Sequence, residues 1–191
     1  YPPASGLGIS KVAGRIDNLA YDPDNRRLFA TKGTGGVWMS TDLGENWRSI
    51  GDTLPSQIIG AVAWAKGRNR LIALSGDPAR GSYTYPGFGA CYSDDLGTTW
   101  TKATGLPDGA PGFAVEVDPA NTNIVYAATF AGLFRSSDGG VSYQNVALPT
   151  GCTDPADPKC YLANVVTDVV IKEPGGVSST LGGLSGAPSS S

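Results

Sequence analysis

The chain has 191 residues, a formal net charge of −3 with 14 Lys and Arg, and no histidine. The few basic residues are scattered and form no positive stripe, so nucleic acid is not an expected partner. Without histidine, the usual catalytic base and the commonest metal ligand are missing, and we expect no catalytic triad, no metal centre and no cofactor. No apolar run approaches about 18 residues, so no membrane span is expected.

Glycine and proline dominate the pattern of the sequence, with 27 and 14 residues. Both residues punctuate turns, and no segment repeats apolar residues with a helical period over three turns. Short runs rich in Val, Ile, Tyr, Trp and Phe lie between these turns, as expected for strands. The composition therefore predicts an all-β protein.

The predicted strands fall into three groups of four. They cover residues 16–21, 28–31, 36–39 and 47–50, then 59–64, 71–74, 89–92 and 100–103, then 113–117, 124–127, 132–135 and 143–146. The sequences Asp-Pro-Asp-Asn at 22–25 and Asp-Pro-Ala-Asn at 118–121 favour tight turns between the first and second strands. Four-stranded sheets in tandem bury their faces by stacking around an axis.

One motif, Ser-x-Asp-x-Gly-x-x-aromatic, occurs once in each group, between the third and fourth strands. Its aspartates are 53 and 43 positions apart, which is a blade-length repeat. The Asp can accept backbone N–H groups, the Gly permits positive φ, and the aromatic can pack on the sheet, so we assign the motif a structural role. The residues are Ser40, Asp42, Gly44, Trp47, Ser93, Asp95, Gly97, Trp100, Ser136, Asp138, Gly140 and Tyr143.

These motifs, with Gly-Arg-Ile-Asp-Asn-Leu-Ala-Tyr-Asp-Pro at 14–23 and Gly-Gly-Val-Trp-Met-Ser-Thr-Asp at 35–42, resemble the bacterial Asp-box (BNR-repeat) β-propellers. That superfamily includes sialidases, xyloglucanases and sortilin-type receptors. The resemblance implies a propeller segment of three four-stranded antiparallel blades and the first strand of a fourth, within a ring of about seven or more blades. It also implies that the motif turns lie on the face opposite the usual active site.

The expected domain boundaries follow the repeat. Residues 1–11 are an N-terminal extension, 12–54 blade 1, 55–106 blade 2 and 107–150 blade 3. Residues 151–172 hold a loop and the first strand of blade 4, at 164–171, and 173–191 are a Gly/Ser-rich flexible loop or tail. Three blades leave an apolar flank, so we expect the remaining blades, on a second polypeptide or another copy, to complete the ring.

A long insertion at 76–88 lies on the face opposite the motif turns. Its aromatic side chains can stack on sugar rings while two charged groups orient the ligand, although a loop packed on its own aromatics is the simpler alternative. The candidate ligand-binding residues are Asp77, Arg80, Tyr83, Tyr85 and Phe88.

The cysteines indicate an oxidising compartment. Cys152 and Cys160 bracket a Pro- and Asp-rich loop and are predicted to form a disulfide, which favours a secreted or cell-surface protein; two free thiols are the alternative. Asp154 and Asp157 in that loop are expected to be solvated rather than to bind a cation. Cys91 is expected to be a buried apolar residue.

Two functions remain open. The first is a noncatalytic module that binds a glycan or a protein surface, and the second is part of a glycoside hydrolase whose catalytic carboxylates lie mostly elsewhere. Xyloglucanase-like propellers carry an Asp in an Arg-Thr-Asp-x-Gly-Gly context, where this chain has Lys32 and Gly33. Sialidases carry Arg-Ile-Pro where this chain has Arg15-Ile16-Asp17, and the repeat predicts that Arg15 begins an ordinary strand. No catalytic residue is assigned.

Overall fold

The computed structural model describes residues 15–77, 85–149 and 164–171. They form three four-stranded antiparallel sheets, each made of four consecutive strands in sequence order. This architecture confirms the predicted all-β class. The strands are β1 (Asn18–Asp22), β2 (Arg27–Thr31), β3 (Val37–Ser40), β4 (Arg48–Ser49), β5 (Ile59–Ala65), β6 (Arg70–Ser75), β7 (Ala90–Ser93), β8 (Thr101–Lys102), β9 (Gly112–Val117), β10 (Val125–Thr129), β11 (Gly132–Ser136) and β12 (Gln144–Val146).

The three sheets, blades 1 to 3, stack side by side. Their first strands β1, β5 and β9 contact one another in succession and therefore lie nearest the common axis. A single 3₁₀ turn, Lys66–Arg68, joins the first two strands of blade 2, and no α-helix occurs in the described ranges. None of the described helical segments is long and apolar enough to cross a membrane.

Each blade has a backward face, toward the preceding blade, and a forward face, toward the next one. Strand residues alternate between the two faces, so both must be apolar to stack. The forward face of blade 1 (Phe29, Val37, Met39) packs on the backward face of blade 2, which includes Leu71 and Cys91.

The second interface has the same design and joins blade 2 to blade 3. Ile72 and Leu74 on the forward face of blade 2 pack on Val115, Val125 and Phe134 of blade 3, all of them buried. Since each blade covers the next, most of the core lies between sheets rather than within one.

The acidic motifs occupy equivalent corners between the third and fourth strands of the blades. Asp42 accepts the backbone N–H of Asn46 at 2.9 Å, Asp95 that of Thr99 at 2.8 Å, and Asp138 that of Ser142 at 2.9 Å. The motif serine of each turn donates to its aspartate and accepts the motif glycine N–H at 2.8 to 2.9 Å. The turn glycines Gly44, Gly97 and Gly140 have φ of 100, 83 and 87°, a conformation that few other residues adopt.

The three motif aromatics are placed differently from one another. Trp47 is 37% exposed, whereas Tyr143 is 3% exposed. Trp100 donates its indole N–H to the carbonyl of Ile50 at 2.9 Å, which reaches across to blade 1. The aromatic position therefore serves packing between blades as well as within one.

Residues 164–171 continue past blade 3 without forming a strand. Val166 donates its N–H to Thr129 O at 3.1 Å and, with Val169, covers Ala114 and Ala128 on the forward face of blade 3. The segment lies where a fourth blade is predicted to begin, but a strand needs a pairing partner, and the described residues supply none beside it.

The loop with Cys152 and Cys160 lies outside the described residues, as do Asp154 and Asp157, while Cys91 is buried.

Candidate functional site: a cleft between blades 1 and 2

A cleft of about 380 Å³ opens on the face opposite the acidic turns. The segment before β1, the β2–β3 turn of blade 1 and the end of β6 in blade 2 meet there. The cleft is lined by Arg15, Lys32, Gly33, Thr34, Gly35 and Asp77. Chain direction alternates along a blade, so the connections after the second strands share this face.

Arg15 ties the two blades together at the base of the cleft. Its guanidinium forms ion pairs with Asp77 of blade 2 and with Asp17 of its own segment. The hydrogen bonds to Asp77 and then to Asp17 raise the pKa of Arg15 above its ordinary value. The Asp77 side chain is 5% exposed, whereas that of Arg15 is 49% exposed, so one edge of the guanidinium faces the cleft. Arg15 precedes β1, although the repeat predicts that it begins a strand.

The β2–β3 turn of blade 1 is held by backbone hydrogen bonds. Gly33, with φ 41°, donates its N–H to Asp17, and Gly36 donates to Gln57 O at 2.8 Å. Gly36 has φ 70°, a conformation that few other residues adopt, so the turn favours glycine here. The turn therefore presents a fixed backbone wall to the cleft.

Lys32 is the exposed cation of this wall. Lys32 follows the second strand of blade 1 at the register position that Ser75 holds in blade 2 and Thr129 holds in blade 3. Those hydroxyls close their own turns by donating to Gly89 O at 2.6 Å and Gly132 O at 2.9 Å. Lys32 has no hydroxyl for such a closure, and its ammonium lies 6.0 Å from the Trp38 ring centroid. At this position blade 1 therefore has an exposed cation in place of a turn-closing hydroxyl.

Of the five predicted ligand-binding residues, one lines the cleft, two lie outside its lining and two are not among the described residues. Asp77 lines the cleft but is engaged by Arg15, and its backbone pairs with that of Tyr85 at 3.0 and 3.1 Å. Tyr85 is 40% exposed, while Phe88 packs against the core between blades 1 and 2. Arg80 and Tyr83 lie outside the described residues.

The described lining of the cleft is polar and carries charges of both signs. The one carboxylate in the lining of the cleft, Asp77, is bound by the Arg15 guanidinium, which also pairs with Asp17. No cluster of three metal-ligating side chains occurs among the residues that the structure describes. Sequence patterns alone missed the pairing of Arg15 with Asp77, because the two lie 62 positions apart and only the stacking of blades brings them together.

Two curated proteins are similar in sequence. A xyloglucanase of Paenibacillus sp is 32% identical over 159 residues, and a xyloglucanase of Hypocrea jecorina is 32% identical over 161 residues. These alignments cover 74% and 70% of this chain but only 14% and 19% of the relatives, so the chain spans less than a fifth of their length. No family model matches the sequence.

Solved structures share the fold. An ancestral GH74 enzyme matches with a TM-score of 0.57 and 23% identity, over 71% of this chain and 19% of that one. The GH74 xyloglucanase of Xanthomonas campestris gives 0.54 and 19% identity, over 70% and 21%. A structure described as YCF48 bound to D1 peptide gives 0.54 and 13% identity, over 82% and 44%.

Fold and sequence together define a glycoside-hydrolase-related propeller. The fold is a β-propeller fold, as the repeated motif predicts, and the similar proteins are xyloglucanases and GH74 enzymes; the chain matches no single one of them throughout.

Proposed function

We propose that this chain is a polysaccharide-binding segment of a glycoside-hydrolase-related propeller, and that the cleft between blades 1 and 2 holds part of a β-glucan chain such as xyloglucan. The observation that carries the proposal is the cleft itself, with fixed polar groups on two blades. Its location on the face opposite the acidic turns also supports the proposal.

The chemistry of the cleft suits a neutral, hydroxyl-rich ligand. Arg15, Lys32 and the turn backbone supply donors, and Asp77 supplies acceptors. With Asp17, which pairs with Arg15 and does not line the cleft, the two positive and two negative charges balance. Sites of this kind hold a ligand through a few placed polar groups on a rigid frame. The ion pairs across the blades provide that frame.

Binding is favoured over catalysis for this segment. A glycosidase needs two carboxylates about 5 to 9.5 Å apart that flank the bond, one of them carrying a proton. Here Lys32 stands where the similar hydrolases are expected to carry an Asp, and the Asp77 carboxylate of the cleft is ion-paired with Arg15.

Hydrolysis by the complete protein is the second candidate, and the identity to two xyloglucanases favours it. In that case the reacting carboxylates lie on other blades, and this chain positions the substrate for them.

Affinity electrophoresis against soluble polysaccharides tests the proposed binding. We expect retardation by xyloglucan or mixed-linkage β-glucan and an affinity at least about tenfold lower for Lys32→Ala, because a charge-assisted hydrogen bond is lost. Lys66→Ala is the matched control, since Lys66 is an exposed lysine of the 3₁₀ turn between β5 and β6, on the face that carries the acidic turns. Equal affinity of the two variants, or no retardation by any polysaccharide, would refute the proposal.

Reducing-sugar release by the complete polypeptide separates the two candidates. If Asp77→Asn still releases sugar from xyloglucan but with a raised KM, the reacting carboxylates lie on other blades and the cleft binds the substrate. An unchanged KM would remove the cleft from substrate binding.

We also propose that the protein acts outside the cell, because Cys152 and Cys160 are spaced for a disulfide across a short loop. Intact mass after thiol alkylation, with and without reductant, tests the bridge. A mass that shows both thiols alkylated without reductant would contradict it.

A further inference from the structure

One side chain beside the cleft contacts two of its parts at once. Asp17 does not line the cleft, and its side chain is only 16% exposed. Its Oδ1 atom forms an ion pair with Nε of Arg15, and its Oδ2 atom accepts the backbone N–H of Gly33. Both partners line the cleft, Arg15 from the segment before β1 and Gly33 from the β2–β3 turn. Asp17 therefore connects the two parts of the cleft that blade 1 supplies.

The backbone fixes Asp17 next to the turn that it contacts. Its N–H donates to Thr31 O at 3.0 Å, so Asp17 lies beside the last residue of β2. The Gly33 carbonyl accepts the N–H of Ile59 of blade 2 at 3.2 Å. The Gly33 peptide is thus held on one side by a carboxylate of blade 1 and on the other by the backbone of blade 2.

Blades 2 and 3 hold the connection after the second strand in another way. The Ser75 hydroxyl accepts the N–H of Phe88 at 2.7 Å, and the Thr129 hydroxyl accepts the N–H of Ala131 at 3.1 Å. Each acceptor therefore belongs to the residue that begins the connection. Lys32 has the same register position in blade 1, but an ammonium group can only donate.

In blade 1 the acceptor for the turn lies outside the turn. The Asp17 carboxylate accepts a turn N–H, as a hydroxyl does in the other blades, and position 32 carries an exposed cation. In the strand registers the residues that correspond to Asp17 are Gly60 and Phe113, and neither is acidic. The lysine in the turn and the aspartate beside it are therefore two matching differences that set blade 1 apart.

We propose that Asp17 is the positioning residue of the cleft, which holds the β2–β3 turn in place of the missing hydroxyl and so fixes the spacing between Arg15 and Lys32. Groups that hold a binding side chain in place decide how well it meets its ligand. The consequence for binding rests on the proposed function, whereas the effect of Asp17 on the turn needs no ligand.

Amide hydrogen exchange of the 191-residue chain without ligand, followed by NMR, tests the effect on the turn. We expect the amides of residues 33–36 to exchange at least about tenfold faster in Asp17→Ala, because the turn opens more often. Asp17→Asn should keep them slow, since its amide oxygen can still accept the Gly33 N–H. Asp24→Ala is the matched control, because Asp24 is 56% exposed and lies beyond the other end of β1. Unchanged exchange in Asp17→Ala would overturn the proposal.

A restored hydroxyl tests the exchange of roles between Asp17 and the turn. Lys32→Thr gives blade 1 the residue type that blade 3 has at this position. In the Asp17→Ala background we expect it to return the turn amides toward the parent exchange rates. A double variant that exchanges as fast as Asp17→Ala alone would overturn the substitution of Asp17 for the hydroxyl.

Affinity electrophoresis with xyloglucan connects the turn to binding. We expect the affinity of Asp17→Ala to fall about tenfold and that of Asp24→Ala to equal the parent value, because only Asp17 holds groups of the cleft. The double variant should regain slow exchange but not affinity, since it lacks Lys32. If the parent chain binds no polysaccharide, the proposed function fails while the exchange rates still decide the role of Asp17. Full affinity in Asp17→Ala despite a faster-exchanging turn would overturn the positioning role.

Discussion

At the scale of single residues, the acidic turns show how a repeated side chain becomes a structural device. The Oδ1 atom of each aspartate accepts both a backbone N–H that follows it and the hydroxyl of the motif serine. The residue before the motif glycine also has positive φ, 59° at Leu43 and 57° at Leu96, and blade 3 has Gly139 there. The side chain thus stabilises a backbone that would otherwise be strained.

The acid stability of the chain depends in part on Asp138. Burial alone would raise its pKa, but hydrogen bonds from Ser142, Ser136 and Val141 outweigh burial and lower the pKa to about 2. The pKa of an aspartate in the unfolded chain is about 3.9. The Asp138 carboxylate therefore stabilises the fold above about pH 4, and this stabilisation is lost as the pH falls toward 2. We expect urea unfolding of Asp138→Asn to be less pH-dependent over that interval.

At pH 7 the same substitution should lower the free energy of unfolding by about 1–3 kcal/mol, because charged hydrogen bonds are lost. Asp108→Asn is the control, since Asp108 is an exposed partner of Lys102 and should change stability by less than about 0.5 kcal/mol. A pH profile for Asp138→Asn that matches the parent protein would contradict this role.

At the scale of elements, the connection after β8 joins blade 2 to blade 3 through the backbone. Thr104 donates its N–H to Val141 O at 3.0 Å and accepts the N–H of Tyr143 at 2.9 Å. Gly105, with φ 87°, lies against the Tyr143 backbone, where a Cβ would overlap the carbonyl oxygen. Glycine is required here for two reasons, the positive φ and the close approach.

The pair Gly105→Ala and Gly109→Ala separates those two reasons. Gly109 has φ 90°, but a methyl group added to it would meet no atom within 4 Å, so its substitution should cost only the backbone strain, about 1–2 kcal/mol. Gly105→Ala should cost at least about 2 kcal/mol more, because the blades must move apart. Thermal and urea unfolding measure both, and equal losses would show that the backbone contact contributes nothing.

At the scale of the whole molecule, stability resides in the interfaces between blades. Leu71 and Leu28 hold equivalent places on the backward faces of blades 2 and 1, but Leu71 is fully buried and Leu28 only partly. We expect Leu71→Ala to lower the unfolding free energy by about 2–5 kcal/mol and Leu28→Ala by less than half of that. Denaturant unfolding of the 191-residue chain gives both values, and similar losses would contradict the interface account.

The sequence was sufficient for the fold because its signals are local. The turn motif, the glycine before each third strand and the apolar alternation predicted all twelve strands to within two residues at each end. The candidate site depends on contacts between blades instead. No local pattern relates Arg15 to Asp77, and only the strand register shows that Lys32 replaces a turn-closing hydroxyl.

The links described here join each blade to the blade that follows it in the chain. The Ile50 carbonyl of blade 1 receives the indole N–H of Trp100, and the Thr104 backbone of blade 2 receives the turn of blade 3. Each blade thus presents backbone hydrogen-bonding groups to the blade that is synthesised after it. A propeller of this design can assemble on the ribosome in the order of translation. The blade that is translated first is then the one whose backward face stays uncovered longest.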